Sequence, residues 1–242
     1  LLWVDASAFQ YIPEGLSYGL PHAQWMFCRS TGKHKIGLAA KGGNNDEPHN
    51  HNDIGSFIYF KDGEILLQDL GSGEYTKDYF NHNRYDIFCN NSFSHSVPII
   101  EGKGQGAGAE FRAENVEFID DDVMTMDLSK AYDNAKLKSL LRRFEFLGDE
   151  GIRLTDSYLF TEDPKAITER FVTVDPPIIT NEGILISSGN VSGIIQYDSK
   201  RMTPIIVIHD HKNHDGEKVT VYSIDFNLTG VDKQFECRFI IK

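Results

Sequence analysis

The segment Glu47-Pro48-His49-Asn50-His51-Asn52-Asp53-Ile54-Gly55 carries two imidazoles two residues apart, with a carboxylate two residues further on. Asp69 follows in QDLG and His95 in SFSHS. A His/Asp set of this kind suits a borderline divalent cation, zinc above others. Histidine also titrates near neutral pH, so an imidazole that is not a ligand can move a proton. On an extended backbone His49 and His51 would project to one side, about 6.5–7 Å apart. One could then coordinate an ion while the other stays free for proton transfer. An HxH pair alone more often marks a polar loop before a strand. Here Asp69 and His95 shift the balance towards a site.

Strand patterns dominate the elements that must position these residues. SFIYF and EILLQDL flank Lys61-Asp62-Gly63, and Asp-Gly between apolar runs signals a hairpin. KIGLAA, NVEFID, VMTMDL, LLRRFEFL, IRLTDSYLF, AITERFVTV, PIIVIH, VTVYSID and FECRFII read as further strands, separated by turn residues such as Asp120-Asp121-Asp122 and Asp175-Pro176-Pro177. Tyr75 to Phe88 and Lys130 to Lys138 hint at single helical turns. A dozen or more short strands without intervening helices predict an all-β protein of antiparallel sheets, in a sandwich or a closed β structure, and the length suits one large β domain or two small ones. KGQGAGA, residues 103–109, lacks the GK[ST] ending of a phosphate loop and reads as a plain loop.

The hairpin sets a register. With Asp62-Gly63 as a two-residue loop, Phe60 opposes Ile65 and Ser56 opposes Asp69, which brings Asp69 within coordination reach of His51. Strict alternation from Ser56 would turn His51 to the other face. A bulge or irregular backbone is therefore expected between Asp53 and Gly55, where glycine tolerates the conformation.

With 40% hydrophobic and 12% aromatic residues, the chain of 242 residues can build a substantial core. A net charge of −12 argues against nucleic acid and against an anionic membrane surface, both of which need clustered Lys and Arg. An anionic ligand would have to be drawn locally, by Lys41, Arg84 and Lys103 or by a bound cation, and a heavily sulfated one is disfavoured. Three scattered cysteines, Cys28, Cys89 and Cys237, read as buried free thiols. No leader or membrane-spanning run is expected, and LLWVDASAF reads as the interior of a larger protein. A second cluster, His209-Asp210-His211 with His214 and Asp215, reads as a solvated hairpin loop rather than a metal site.

The order KGGNNDEPHNHNDIGSF, GEILLQDLGSGEY, RY and NNSFSHSVPIIEGKGQ resembles the heparinase II/III-like domain of polysaccharide lyases, with LPHAQWMFCRS upstream also fitting. The motifs span about Lys41 to Gln105, and the likeness beyond them is one of strand-rich texture. It implies a large antiparallel β-sandwich forming one domain over residues 1–242, the β-sandwich half of a lyase that cleaves uronic-acid glycans by β-elimination. It implies His49 as the imidazole entering the cleft, and a divalent metal, often zinc, on His51, Asp69 and His95. It further implies an acidic polysaccharide as partner and a helical toroid domain, N-terminal in the same protein, that supplies a Tyr acid/base and a carboxylate-neutralising Asn or His. A periplasmic or secreted setting is favoured over the cytoplasm. Among local groups, Arg84 could pair with a uronate carboxylate or with Asp86 or Glu74, Tyr75 could stack on sugar or merely pack, and Asn45 and Asn52 could bind substrate or order their loop. The ion is expected to hold the loop bearing His49 rather than act as a Lewis acid.

Two other readings remain. A non-catalytic carbohydrate-binding or scaffold module could retain the metal for stability. A cupin-like metalloenzyme also uses HxH, an acid and a distant His, but Asp69 in QDLG and the chain length fit that pattern poorly.

Overall fold

The computed structural model describes residues 17–228 and 230–242. Antiparallel pairing joins their strands into three main sheets, as the alternating apolar patterns require. The eight-stranded sheet runs Ile178–Ile179, Ile184–Ser188, Val191–Gln196, Gln234–Ile241, Ile152–Phe160, Leu137–Phe146, Val123–Asp127 and Glu114–Ile119 in spatial order. The five-stranded sheet holds Ser17–Leu20, Trp25–Arg29, Ile36–Lys41, Phe57–Lys61 and Glu64–Leu67. A four-stranded sheet joins Met202–Lys212, Lys218–Leu228, Ile167–Thr173 and Ile99–Ile100.

Aromatic contacts mark where the layers meet. Phe144 and Phe239 of the eight-stranded sheet touch Phe57 of the five-stranded sheet and Phe171 and Phe226 of the four-stranded sheet, with ring centroids 4.8–5.6 Å apart. All five rings are at most 2% exposed, and each such burial is worth about 1.5–3 kcal/mol. The fold is an all-β sandwich. Helical structure among the described residues is limited to single 3-10 turns, including Lys77–Phe80, Arg84–Asp86 and Ser129–Ala131, where the sequence hinted at them. Cys28, Cys89 and Cys237 are buried free thiols.

Three local expectations need correction. Phe60 does oppose Ile65, but Tyr59 then opposes Leu67, so Leu66 is an extra residue in the second strand. This bulge lets Leu66 and Leu67 both bury in the core, which strict alternation forbids. The ladder ends before Ser56 and Asp69, which therefore are not partners; an irregular backbone does occur at Asp53–Gly55, where Ser56 N donates to Asp53 O and Gly55 has φ +83°. His209, Asp210 and His211 lie within the strand Met202–Lys212 rather than in a solvated loop. His211 is buried, and His209 stacks on Phe88 at 4.8 Å and shares a 2.9 Å hydrogen bond with the Ser223 hydroxyl. The turn comes later, at Asn213–Glu217.

Candidate metal centre and the turn beside it

His49 and His51 do not share one extended segment. Glu47-Pro48-His49-Asn50 is a β-turn closed by Asn50 N donating to Glu47 O, with Pro48 in its second position and His49 at φ +62° in its third. Proline presets the second position of such a turn, whereas the third favours glycine or asparagine. A histidine held there stores about 1–3 kcal/mol of backbone strain, a cost typical of functional positions. The turn leaves His49 exposed to solvent.

Beyond the turn the chain dives inward. Asn50 is clamped by Arg84 Nη2 donating to its carbonyl at 2.8 Å and by the Tyr85 hydroxyl donating to Oδ1 at 3.0 Å. Asn52 N donates to Asn90 O, and the Ser92 hydroxyl donates to Asn52 O at 2.6 Å. These bonds set the half-buried His51 beside His95, with ring centroids 5.2 Å apart. His51, Asp69 and His95 each offer a ligand atom, all within 4.8 Å of one another.

His95 tests whether an ion suits this cluster. The residue is fully buried, and Nε2 lies 3.0 Å from the Cys89 carbonyl, an acceptor only, so Nε2 must carry a proton. Nδ1 faces the cluster. It stands 3.1 Å from Asp69 Oδ2 and 3.9 Å from Asp53 Oδ2, yet has no partner in hydrogen-bond geometry. A bare nitrogen lone pair against a carboxylate is repulsive unless a cation or a proton lies between them. The donors present therefore fit a divalent ion, and the bond to Cys89 fixes the tautomer that such a ligand needs.

The electrostatics show the same demand for a positive charge, proton or metal, beside Asp69. Burial opposes charge on His95, but the Asp69 carboxylate, supported by Asp53, outweighs it and raises the pKa. Burial likewise opposes charge on Asp69, yet His95 draws its pKa well below the carboxylate range. His51 is pushed down to about 4, by burial first and by His95 second, so it stays neutral and able to coordinate. Asp53 is nearly buried and binds Lys41 Nζ at 2.8 Å, which commits that lysine to the site rather than to an external anion.

The residues read as substrate-binding fall in different places. Tyr75 is half exposed within a cluster of Tyr79, Phe80 and His214, at centroid distances of 4.7–5.6 Å. Arg84 pairs with neither Asp86 nor Glu74; it donates to the carbonyls of Asn50 and Tyr79 and lies over the Tyr79 ring at 5.0 Å. Asn45 and Asn52 are 1% and 4% exposed. Asn45 donates to Gly106 O at 2.7 Å, and the Oδ1 atoms of both asparagines are buried without partners. An apolar cleft of about 180 Å³ opens beside the His/Asp cluster, lined by Trp25, Phe27, Lys41, Ser56 and Asp69 among others. Sequence reasoning gave Asp53 no role and offered Lys41 to an anionic ligand rather than to Asp53. Their separation by 12 residues, with a strand end between them, carried no signal of the ion pair.

No family model matches the sequence, and no curated protein matches it. Solved structures do. A heparan sulfate lyase HepC mutant from Pedobacter heparinus superposes with a TM-score of 0.79 at 14% identity, over 98% of this chain and 38% of that one. A heparinase III gene product gives 0.72 at 13% identity over 98% and 37%, and a further heparinase III gives 0.66 at 15% identity over 90% and 35%. The chain thus spans little more than a third of the length of these structures. At such identities the likeness is one of fold: the all-β sandwich described above is the architecture this chain shares with part of the heparinases.

Proposed function

We propose that this chain, as one domain over residues 1–242, is the β-sandwich part of a polysaccharide lyase that cleaves uronic-acid glycans by β-elimination. The observation that carries the reading is the placement of a strained, solvent-facing His49 two residues from a half-buried His/Asp cluster suited to a cation, on a fold that lyases share. In the reaction a base takes the proton at C5, next to the uronate carboxylate. The C5–H electron pair becomes the C4=C5 double bond, the C4–O4 bond breaks, and O4 takes a proton from an acid. His49 is the proposed proton-transfer group, exposed and unligated.

His51, Asp69 and His95 would hold a divalent ion, zinc by donor type. Bound, the ion would supply a fixed charge that locks the three ligands and, through His51, the turn bearing His49. Arg84 serves this turn from behind by holding Asn50. Tyr75 is one of the exposed local aromatics available to a sugar, and Asn45 and Asn52 order the loop that lines the approach. A carboxylate-neutralising group and a proton donor for O4 would come from a helical domain of the same polypeptide.

The test is to incubate the polypeptide that carries this chain with heparan sulfate, alginate and other uronate polymers, and to follow the ultraviolet absorbance of the unsaturated product. Accumulation of that product on at least one polymer is expected. The second reading, a metal-stabilised carbohydrate-binding or scaffold module, is favoured by the internal commitment of Arg84 and Lys41. Zinc retention and glycan binding without product on any polymer would select it.

A further inference from the structure

Arg142 sits in the strand Leu137–Phe146 at an inward position between Leu140 and Phe144, and it is 0% exposed. Burying a guanidinium costs several kcal/mol unless every donor is met, and an apolar side chain of similar volume often serves a core as well. Here all five N–H donors are used. Nε and Nη2 grip Asp156 at 2.8 and 2.6 Å, and Nη2 also reaches Glu169 at 3.4 Å. Nη1 leaves the core network and donates to Gly55 O at 2.8 Å and to Ser96 O at 2.9 Å.

Those two carbonyls belong to the segments that carry the site. Gly55 ends the loop bearing His51 and Asp53, and Ser96 follows His95 directly. Gly55 is also shaped for this approach: φ is +83°, and a Cβ there would meet Leu128 Cδ1 at 2.6 Å and Arg142 Cδ at 3.4 Å. Asp156 balances the charge. Burial first, then the neighbouring Asp156, raises the pKa of Glu169, which disfavours a second negative charge beside Arg142.

We infer that Arg142 is a positioning residue of the metal centre: its guanidinium, anchored on Asp156 in the sandwich core through Nε and Nη2, uses Nη1 to fix the separation of the loops that carry His51 and His95. The inference rests on the metal reading proposed above. It assigns Arg142 a task that packing alone does not require. Partners one step removed from a metal ligand typically change metal affinity by about 10–100-fold when lost.

The experiment compares Arg142→Lys and Arg142→Met with Glu169→Gln, which leaves both Nη1 bonds in place, and with Leu154→Ala, a core truncation with no bond to either loop. Zinc affinity is measured by competition with a chromophoric chelator, and ligand geometry by the visible spectrum of the cobalt-loaded protein. Arg142→Lys is expected to weaken zinc binding about 10–100-fold and to change the cobalt spectrum. Glu169→Gln and Leu154→Ala should stay within about twofold of wild type in affinity and keep its spectrum, whatever their melting temperatures. Unchanged affinity and spectrum in Arg142→Lys, or equal losses in Leu154→Ala, would overturn the inference. If the wild type takes up no zinc or cobalt, the metal reading fails by itself. Amide exchange over residues 50–56 and 92–97 then decides: faster exchange in both segments in Arg142→Lys but not in Glu169→Gln upholds the positioning role, and unchanged exchange rejects it. Should Arg142→Met fail to fold, Arg142→Lys, which keeps a charge for Asp156, carries the comparison.

Discussion

His95 Nδ1 lies 3.1 Å from Asp69 Oδ2, while the other nitrogen of the same ring is committed to the Cys89 carbonyl at 3.0 Å. That arrangement needs a positive charge between the two residues, and the proposed function gives that place to a zinc ion. With zinc bound, thermal stability should rise with free zinc by mass action, about 4 kcal/mol at a thousandfold excess over the dissociation constant. Chelation should reverse the gain. In His95→Ala the calorimetric response to zinc should vanish; a response as large as that of wild type would place the ion elsewhere.

His49 separates structure from chemistry. Its left-handed backbone is one that asparagine adopts readily, so His49→Asn should leave unfolding free energy within about 0.5 kcal/mol of wild type, or raise it. Zinc content should also be unchanged. A loss above about 2 kcal/mol by denaturant titration would show that His49 is a packing residue.

Glu169 gives a pH signature with a defined sign. Its folded-state pKa is raised, by burial first and by Asp156 next. The contribution is therefore fully present below the unfolded value of about 4.3 and is lost as pH rises through the folded value, at about 1.4 kcal/mol per pH unit. Glu169→Gln removes that slope. Unfolding free energies from about pH 5 upward should show the variant gaining on wild type with each step. Parallel curves would mean that Glu169 is ionised in the folded protein.

The chain of 242 residues should fold alone yet turn over little or no uronate polymer. Its layered aromatic core suffices for folding. β-Elimination also needs an acid and a carboxylate-neutralising group, and each such loss removes about 10²–10⁴-fold in rate. Of the local tyrosines, Tyr79 and Tyr85 already hydrogen-bond Gly73 N and Asn50 Oδ1. Robust turnover by this chain would make Tyr75 the acid to test.

Much of the fold was legible because period-2 apolar runs such as IRLTDSYLF admit few other structures. His51, Asp69 and His95 were legible as a set through residue type, and they do converge. The extended HxH geometry was not, because Pro48 builds a turn that sends the two imidazoles to different environments. The Ser56–Asp69 register failed through one inserted residue, Leu66, whose burial no short-range pattern announces. His209 and His211 looked like a loop because their polarity masks a strand whose partners, Phe88 and Ser223, are distant in sequence. Arg142 left one faint trace: a charged residue at an inward position of LLRRFEF, flanked by Leu140 and Phe144.

The most direct test of the account is to measure zinc content and uronate elimination on the same samples of the parent polypeptide, wild type and His49→Ala. The account predicts zinc near one equivalent in both, with elimination reduced by about 10²–10⁴-fold in the variant, the range for losing a proton-transfer group. Zinc and activity falling together in His49→Ala would contradict it, because His49 would then belong to the metal centre rather than to the chemistry.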